Sequence, residues 1–213
     1  HGYRAESRAT ILIDVRKPLE QLWDGLKKDV ARTPIRKAQK QGVRVRQVQY
    51  AAEVRQFAEL VSAWRRAEGF PPYEAARYEL MWIYLRPACV LFLAEYEGEV
   101  VGGAGLWHFN RWAHLFTPVQ SHAARQRRVY AGDLLCWEMI RWCHERGCTV
   151  FDLSGVSLAP ASPKEIGIRR FKEKWGGRIV EYPVFTRALK PARWKLASAA
   201  RHARRTIRAF VQA

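Results

Sequence analysis

The sequence predicts an α/β (α+β) domain with one central, mixed β-sheet flanked by helices. Three observations predict it. Amphipathic helical stretches alternate with short apolar strands from Thr10 onward. Three consecutive strands, Cys89–Tyr96, Val100–Phe109 and Trp112–Pro118, begin as a hairpin around the turn Glu97-Gly98-Glu99. After them the order becomes helix, strand, helix, strand, and hairpins followed by β-α-β units describe a mixed sheet. At 213 residues the chain can build a sizeable core.

The elements follow in order. Residues 1–9 carry no periodicity and are expected to be a linker or tail. Thr10–Val15 (TILIDV) is a strand. Pro18 opens a helix with Leu19, Leu22, Trp23 and Leu26 on one face. Lys27–Gln41 continues helical around a break at Thr33-Pro34 and stops at Gly42. Val43, Val45 and Val48 mark a strand, and Glu53–Glu68 is a long amphipathic helix closed by Gly69. Tyr73–Leu85 is the next helix. Gly102, Gly103 and Gly105 weaken the second strand of the hairpin unless a bulge or a ligand needs close backbone approach. Gly132–Arg146 is a helix stopped by Gly147, and Thr149–Leu153 is a buried strand ending in Ser154-Gly155. A polar loop leads to a basic helix, Pro163–Lys174, closed by Gly176-Gly177, and Arg178–Phe185 is the last strand.

The net charge of +17 implies an anionic partner: nucleic acid, an anionic membrane surface or a phosphorylated substrate. The charge is clustered. Lys27–Arg46 holds eight Lys and Arg against Asp29 alone, and the chain after Leu189 holds seven with no acid. That tail reads as a basic amphipathic helix, suited to a membrane surface, to RNA, or to docking back on the domain. The four cysteines lack CxxC spacing and fit reduced thiols packed as small apolar residues, so no metal is expected.

The chemistry concentrates in Phe151–Gly177, FDLSGVSLAPASPKEIGIRRFKEKWGG. Asp152 lies inside an apolar strand, and a buried carboxylate needs a partner. Lys172 lies on the following helix among Arg169, Arg170 and Lys174. The two form either a two-sided site or a structural ion pair; Asp152 could equally cap a helix or pair with a helix Arg. Arg66 could clamp a phosphate or carboxylate, and Arg36, Lys37 and Lys40 could contact a diphosphate or a nucleic-acid backbone. Tyr130 precedes Ala131-Gly132-Asp133 at a helix start, where a loop for the pyrophosphate of acetyl-CoA or acyl-CoA would need glycines at other positions. Asp133 reads as a helix cap whose charge disfavours that anion.

The order of elements resembles the GNAT acyltransferase fold. Three stretches resemble the Fem (FemAB-like) peptidyltransferase family: TILIDV with LWDGLKKDVARTPIRKAQKQGV, RRAEGFPPY, and LLCWEMIRWCHERGCTVFDLSGV with IRRFKEKWGG. The resemblance spans residues 10–185. It implies a GNAT-like transferase domain over residues 10–188, followed by the basic helix of residues 189–213. Members of that family typically carry two tandem domains of this kind, and the match is to the second. The family's paired glycines after the strand Asp are here Ser154-Gly155.

The implied activity is aminoacyl transfer from aminoacyl-tRNA to the stem peptide of a UDP-linked or lipid-linked muropeptide in the cytoplasm, peripheral to the inner face of the membrane. No cofactor is implied beyond the tRNA co-substrate. Lys172, matching the Lys of the family's FK motif, would stabilise the developing oxyanion or hold a substrate carboxylate, and Asp152 would position the amine or take its proton. Two other classes stay open: a CoA-dependent N-acyltransferase on the same scaffold, and a non-catalytic binding module.

Overall fold

The structure, a computed structural model, describes residues 2–194, 197 and 199. Seven strands are hydrogen-bonded: β1 (Arg4–Asp14), β2 (Arg44–Gln47), β3 (Cys89–Tyr96), β4 (Glu99–Phe109), β5 (Trp112–Gln120), β6 (Val150–Val156) and β7 (Arg178–Thr186). Their order in the sheet is β2-β3-β4-β5-β6-β1-β7. β2 to β5 pair antiparallel in series, β5 and β6 pair parallel, and β6 and β1 pair antiparallel. This is the mixed sheet the sequence predicts.

The chain divides into a unit of Ala9–Val180 and a second unit made of the residues before and after it. In the second unit the Ser7 hydroxyl donates to Glu181 at 3.4 Å.

The main unit has three layers. Cys89–Ala94 of β3 are buried without a break, as expected of a strand covered on both faces. Val90, Phe92 and Ala94 join the core under α2 (Thr33–Lys40) and α6 (Ala131–Glu145). Cys89, Leu91 and Leu93 face α3 (Ala51–Ala67) and α4 (Ala75–Leu85). α6 buries Leu135, Met139 and Cys143 at four-residue spacing, one stripe of a helix. α1 (Leu19–Asp24) precedes a π-helical turn, Lys28–Arg32, that runs into α2. α5 (His122–Gln126) precedes α6, α7 (Pro163–Glu173) follows β6, and residues 191–194 are also helical.

Three differences from the sequence reading have physical causes. β1 begins at Arg4, inside the expected tail; Arg4–Arg8 are all exposed, so backbone pairing makes the strand and leaves no apolar alternation to read. α5 was not predicted because it is five residues long; the Ser121 hydroxyl caps it, accepting from the N–H of Ala124 at 3.1 Å. β6 continues through Ser154-Gly155 to Val156. Gly103 and Gly105 make room for aromatic rings: an added Cβ would lie 2.9 Å from Phe57 and 2.1 Å from Phe116. The register of β4 against β5 shifts between the same two glycines.

The basic helix expected over residues 189–213 lies, beyond residue 194, almost wholly outside the described residues. Among the described residues, no helix is long and apolar enough to cross a membrane.

Candidate active site

β5 and β6 stay paired for only three residues, Trp112–His114 beside Val150–Asp152. Both strands run on, so they separate just past His114 and Asp152. A gap at the carboxyl ends of neighbouring parallel strands is where open α/β sheets take their ligands. Asp152, Ser154 and His114 stand at this gap.

α7 brings Lys172 to the same place. Pro163 opens the helix, Ser162 accepts from the N–H of Glu165 at 3.2 Å, and Glu165 returns a bond to the N–H of Ser162 at 3.0 Å. This reciprocal cap fixes where the helix starts. Its far end is fixed by the Trp175-Gly176-Gly177 turn. Trp175 is 1% exposed, and a Cβ on Gly177 would lie 2.6 Å from Ile11 and 2.9 Å from the Leu12 carbonyl oxygen. Only glycine admits this approach of the turn to β1. Pinned at both ends, α7 turns Lys172 inward to 8% exposure.

The Lys172 ammonium donates to the carbonyl oxygens of Gly155, at 2.7 Å, and Ser154, at 3.1 Å. Burial lowers its pKa to about 8, against the opposing field of Asp152. Asp152 is also 8% exposed. Its Oδ1 accepts from the Thr10 hydroxyl and from the N–H of Ser154, at 2.8 Å. Its Oδ2 lies 3.2 Å from His114 Nδ1. Burial pushes the carboxyl pKa up, but bonds from His114, Thr10 and Ser154 outweigh it and hold it below the usual range. Asp152 and Lys172 therefore flank the end of β6 and sense each other's charge without a direct bond. Among the described residues, neither the direct ion pair nor the helix-Arg partner considered from sequence is present.

Lys174 is buried beside this site, and its ammonium pairs with Asp133 in the first turn of α6. Asp133 is thus not the cap expected from sequence: Tyr130 holds the cap position, without a side-chain bond. Burial raises the Asp133 pKa against the pull of Lys174. The negative charge at the start of α6 is matched by a cation.

The other sequence-predicted residues are dispersed. Lys37 and Tyr130 do meet, the ammonium lying 5.8 Å from the ring centre. Arg36 lies over Trp23 at 5.4 Å and lines a groove of about 620 Å³ with Leu19, Trp137 and Arg141. That groove is not lined by Asp152, Ser154, His114 or Lys172. Lys40 is exposed on α2, and Arg66 is exposed near the end of α3. Arg169 is occupied structurally, bonded to Glu173 at 2.7 Å and to the Leu158 carbonyl at 3.0 Å, while Arg170 is exposed. Among the described residues, no group of three His, Cys, Asp or Glu side chains could hold a metal ion.

Residues 27–173 match the family model described as acetyltransferase (GNAT) domain. The chain belongs to this GNAT family. It is an acyltransferase domain. Its fold is similar to that of FemX, with a TM-score of 0.74 at 16% identity, covering 88% of this chain and 63% of FemX. It is also similar to L-PGS from Bacillus licheniformis, with a TM-score of 0.61 at 15% identity, covering 96% of this chain and 68% of that one. At these identities the likeness is one of fold. The GNAT chain spans less than two thirds of FemX. No curated protein matches its sequence.

Proposed function

We propose that this GNAT domain moves an aminoacyl group from aminoacyl-tRNA to an amine on the stem peptide of a UDP-linked or lipid-linked peptidoglycan precursor. The observation that carries this reading is the buried Lys172 ammonium at the gap between β5 and β6. An ammonium has three N–H donors; two are bonded to the carbonyls of Ser154 and Gly155. The third is free to meet an oxygen that becomes negative as the ester carbonyl is attacked, which a preorganised cation in a buried site does well. The fold likeness to FemX and to L-PGS supports aminoacyl chemistry over acetyl transfer.

The attack forms a C–N bond, the bond from the acyl carbon to the terminal ribose oxygen breaks, and the proton the amine loses passes to that departing oxygen. Asp152, held below the usual carboxylate range by its partners, is a weak base; its part is to orient. Exposed Arg36, Lys37, Lys40, Arg66 and Arg170 offer phosphate contacts to the tRNA or the precursor. A peripheral place at the inner membrane face, through the basic residues after 189, would suit a lipid-linked acceptor.

A binding titration against muramyl pentapeptide, aminoacyl-tRNA and acetyl-CoA tests the reading. Saturable muropeptide binding, weakened by Lys172→Ala, is expected. Tight acetyl-CoA binding that supports acyl transfer would replace this reading with a CoA-dependent N-acyltransferase.

A further inference from the structure

α4 is apolar on both sides. Its inner row, Tyr78 and Trp82, is buried against the sheet. The outer row of such a helix is normally polar. On α6 it is, with Arg141 paired to Glu138 and Glu145. On α4, Leu80, Ile83 and Tyr84 are 52%, 53% and 77% exposed, and residues 80–85 include no charge.

The apolar surface continues onto the sheet. The His108 N–H donates to the Ala88 carbonyl oxygen at 2.8 Å, so the end of β4 lies beside the segment leaving α4. Trp107 packs into the cluster of α3 and α4. Phe109, two residues on, projects to the same side of the sheet, and Trp112 stands opposite it across the β4–β5 turn. Phe109 is 79% exposed, and Trp112 and Leu85 are exposed as well. Single exposed apolar residues are ordinary, but six large ones on two adjoining elements mark a contact surface.

The charges around it select the partner. Arg77 lies over the Tyr73 ring at 4.6 Å, and Arg86 lies over Trp82 at 4.3 Å. Arg111 Nε donates to the Gly147 carbonyl at 3.0 Å. Among the described residues, none of these three is paired with a carboxylate. Glu79, the acid within α4, is taken by Arg55 at 3.1 Å. A second copy seated on the same patch would bring these cations against their own kind. An anionic lipid surface attracts them, and its headgroup zone accepts Tyr, Trp and Phe. The turn itself has φ +47° at Asn110 and +62° at Arg111. Two-residue turns of this kind favour Asn-Gly, so an arginine stands at the tip where glycine is at ease.

We propose that α4 and the β4–β5 turn form a docking face for an anionic lipid bilayer. Leu80, Ile83, Tyr84, Leu85, Phe109 and Trp112 enter the headgroup zone, and Arg77, Arg86 and Arg111 meet lipid phosphates. This face is distinct from the basic residues after 189, and docking requires no acyl transfer. His114 follows Trp112 by two residues, about 7 Å along β5, so docking holds the candidate site close to the bilayer. Joined to the aminoacyl reading, that placement selects the lipid-linked acceptor over the UDP-linked one.

The test is co-sedimentation of the full chain with phosphatidylcholine vesicles, with and without phosphatidylglycerol, at physiological and high salt. The wild type should bind the anionic vesicles, and salt should weaken binding without abolishing it, because screening acts on charge and not on buried apolar area. Ile83→Ser with Phe109→Ser should lower partitioning about 10-fold or more, with an unchanged melt because both side chains are exposed. Arg111→Gly suits φ +62° and removes the cation; it should weaken binding about fivefold. A double variant that binds like wild type overturns the proposal, because the remaining basic surface would then carry the chain to the vesicle. A wild-type dimer that the double variant turns into a monomer, with vesicle binding unaltered, overturns it in favour of an interface between copies. None of these readouts uses activity, so failure of the aminoacyl reading leaves them untouched.

Discussion

The ammonium of Lys172 lies 2.7 Å from the carbonyl oxygen of Gly155, with the residue 8% exposed. A cation is thus held in a buried place by two peptide dipoles rather than by a carboxylate. Its proton is loosely kept, with a pKa near 8. Because the folded-state pKa lies below the unfolded one, the unfolded chain binds more protons between about pH 8 and 10.5, and stability rises with pH in that window. Denaturant unfolding of wild type and Lys172→Met at pH 7 and pH 10 should show the wild type gaining up to about 3 kcal/mol relative to the variant. A constant difference would mean that Lys172 titrates normally. Transfer that depends on the ammonium should decline as pH rises through about 8.

The Asp133–Lys174 pair sits behind the site with both side chains nearly buried. Removing one partner leaves the other charge without compensation. Asp133→Asn should cost about 3–5 kcal/mol, whereas the double change Asp133→Leu with Lys174→Met should recover most of it. Thermal melts of the three proteins would decide. Equal losses in the single and double variants would show that the pair is not coupled.

Gly177 is where the turn after α7 meets β1. A methyl group there would meet the Ile11 side chain and the Leu12 carbonyl oxygen, and the backbone cannot yield cheaply. Gly177→Ala should destabilise by about 1–3 kcal/mol and, by shifting α7, reduce transfer as well. Urea midpoints and rates together check this; an unchanged midpoint contradicts the packing.

The cap at Ser162 is a smaller lever. Ser162→Ala removes the acceptor for the Glu165 N–H and should cost about 1 kcal/mol. A melt within error of wild type would show that Glu165 alone holds the helix start.

Much of the fold was legible because its signals are local. The stripe of α6, the unbroken apolar run of β3 and the glycine stops each reflect burial by their own element. Asp152 was legible as a carboxylate inside an apolar strand, and Lys172 through the resemblance of its FKEKWGG segment to a family motif. Ser154, His114 and Thr10 were not. They meet only because β5 and β6 pair for three residues and β1 lies on the other side of β6, relationships that no spacing in the chain encodes. The available hint was alternation: Asp152 and Ser154 are polar at every second place of an apolar strand, as is His114 between buried Ala113 and Leu115. The Lys174–Asp133 pair was hidden for the same reason, its members lying 41 residues apart.

The measurement closest to the central claim is single-turnover transfer from aminoacyl-tRNA to UDP-linked muramyl pentapeptide, comparing the full chain with Lys172→Met. Wild type should yield aminoacylated muropeptide, and the variant, with folding intact, a rate about 10²–10³-fold lower. Equal rates in the two proteins, or a wild type that transfers only from acetyl-CoA, would contradict it.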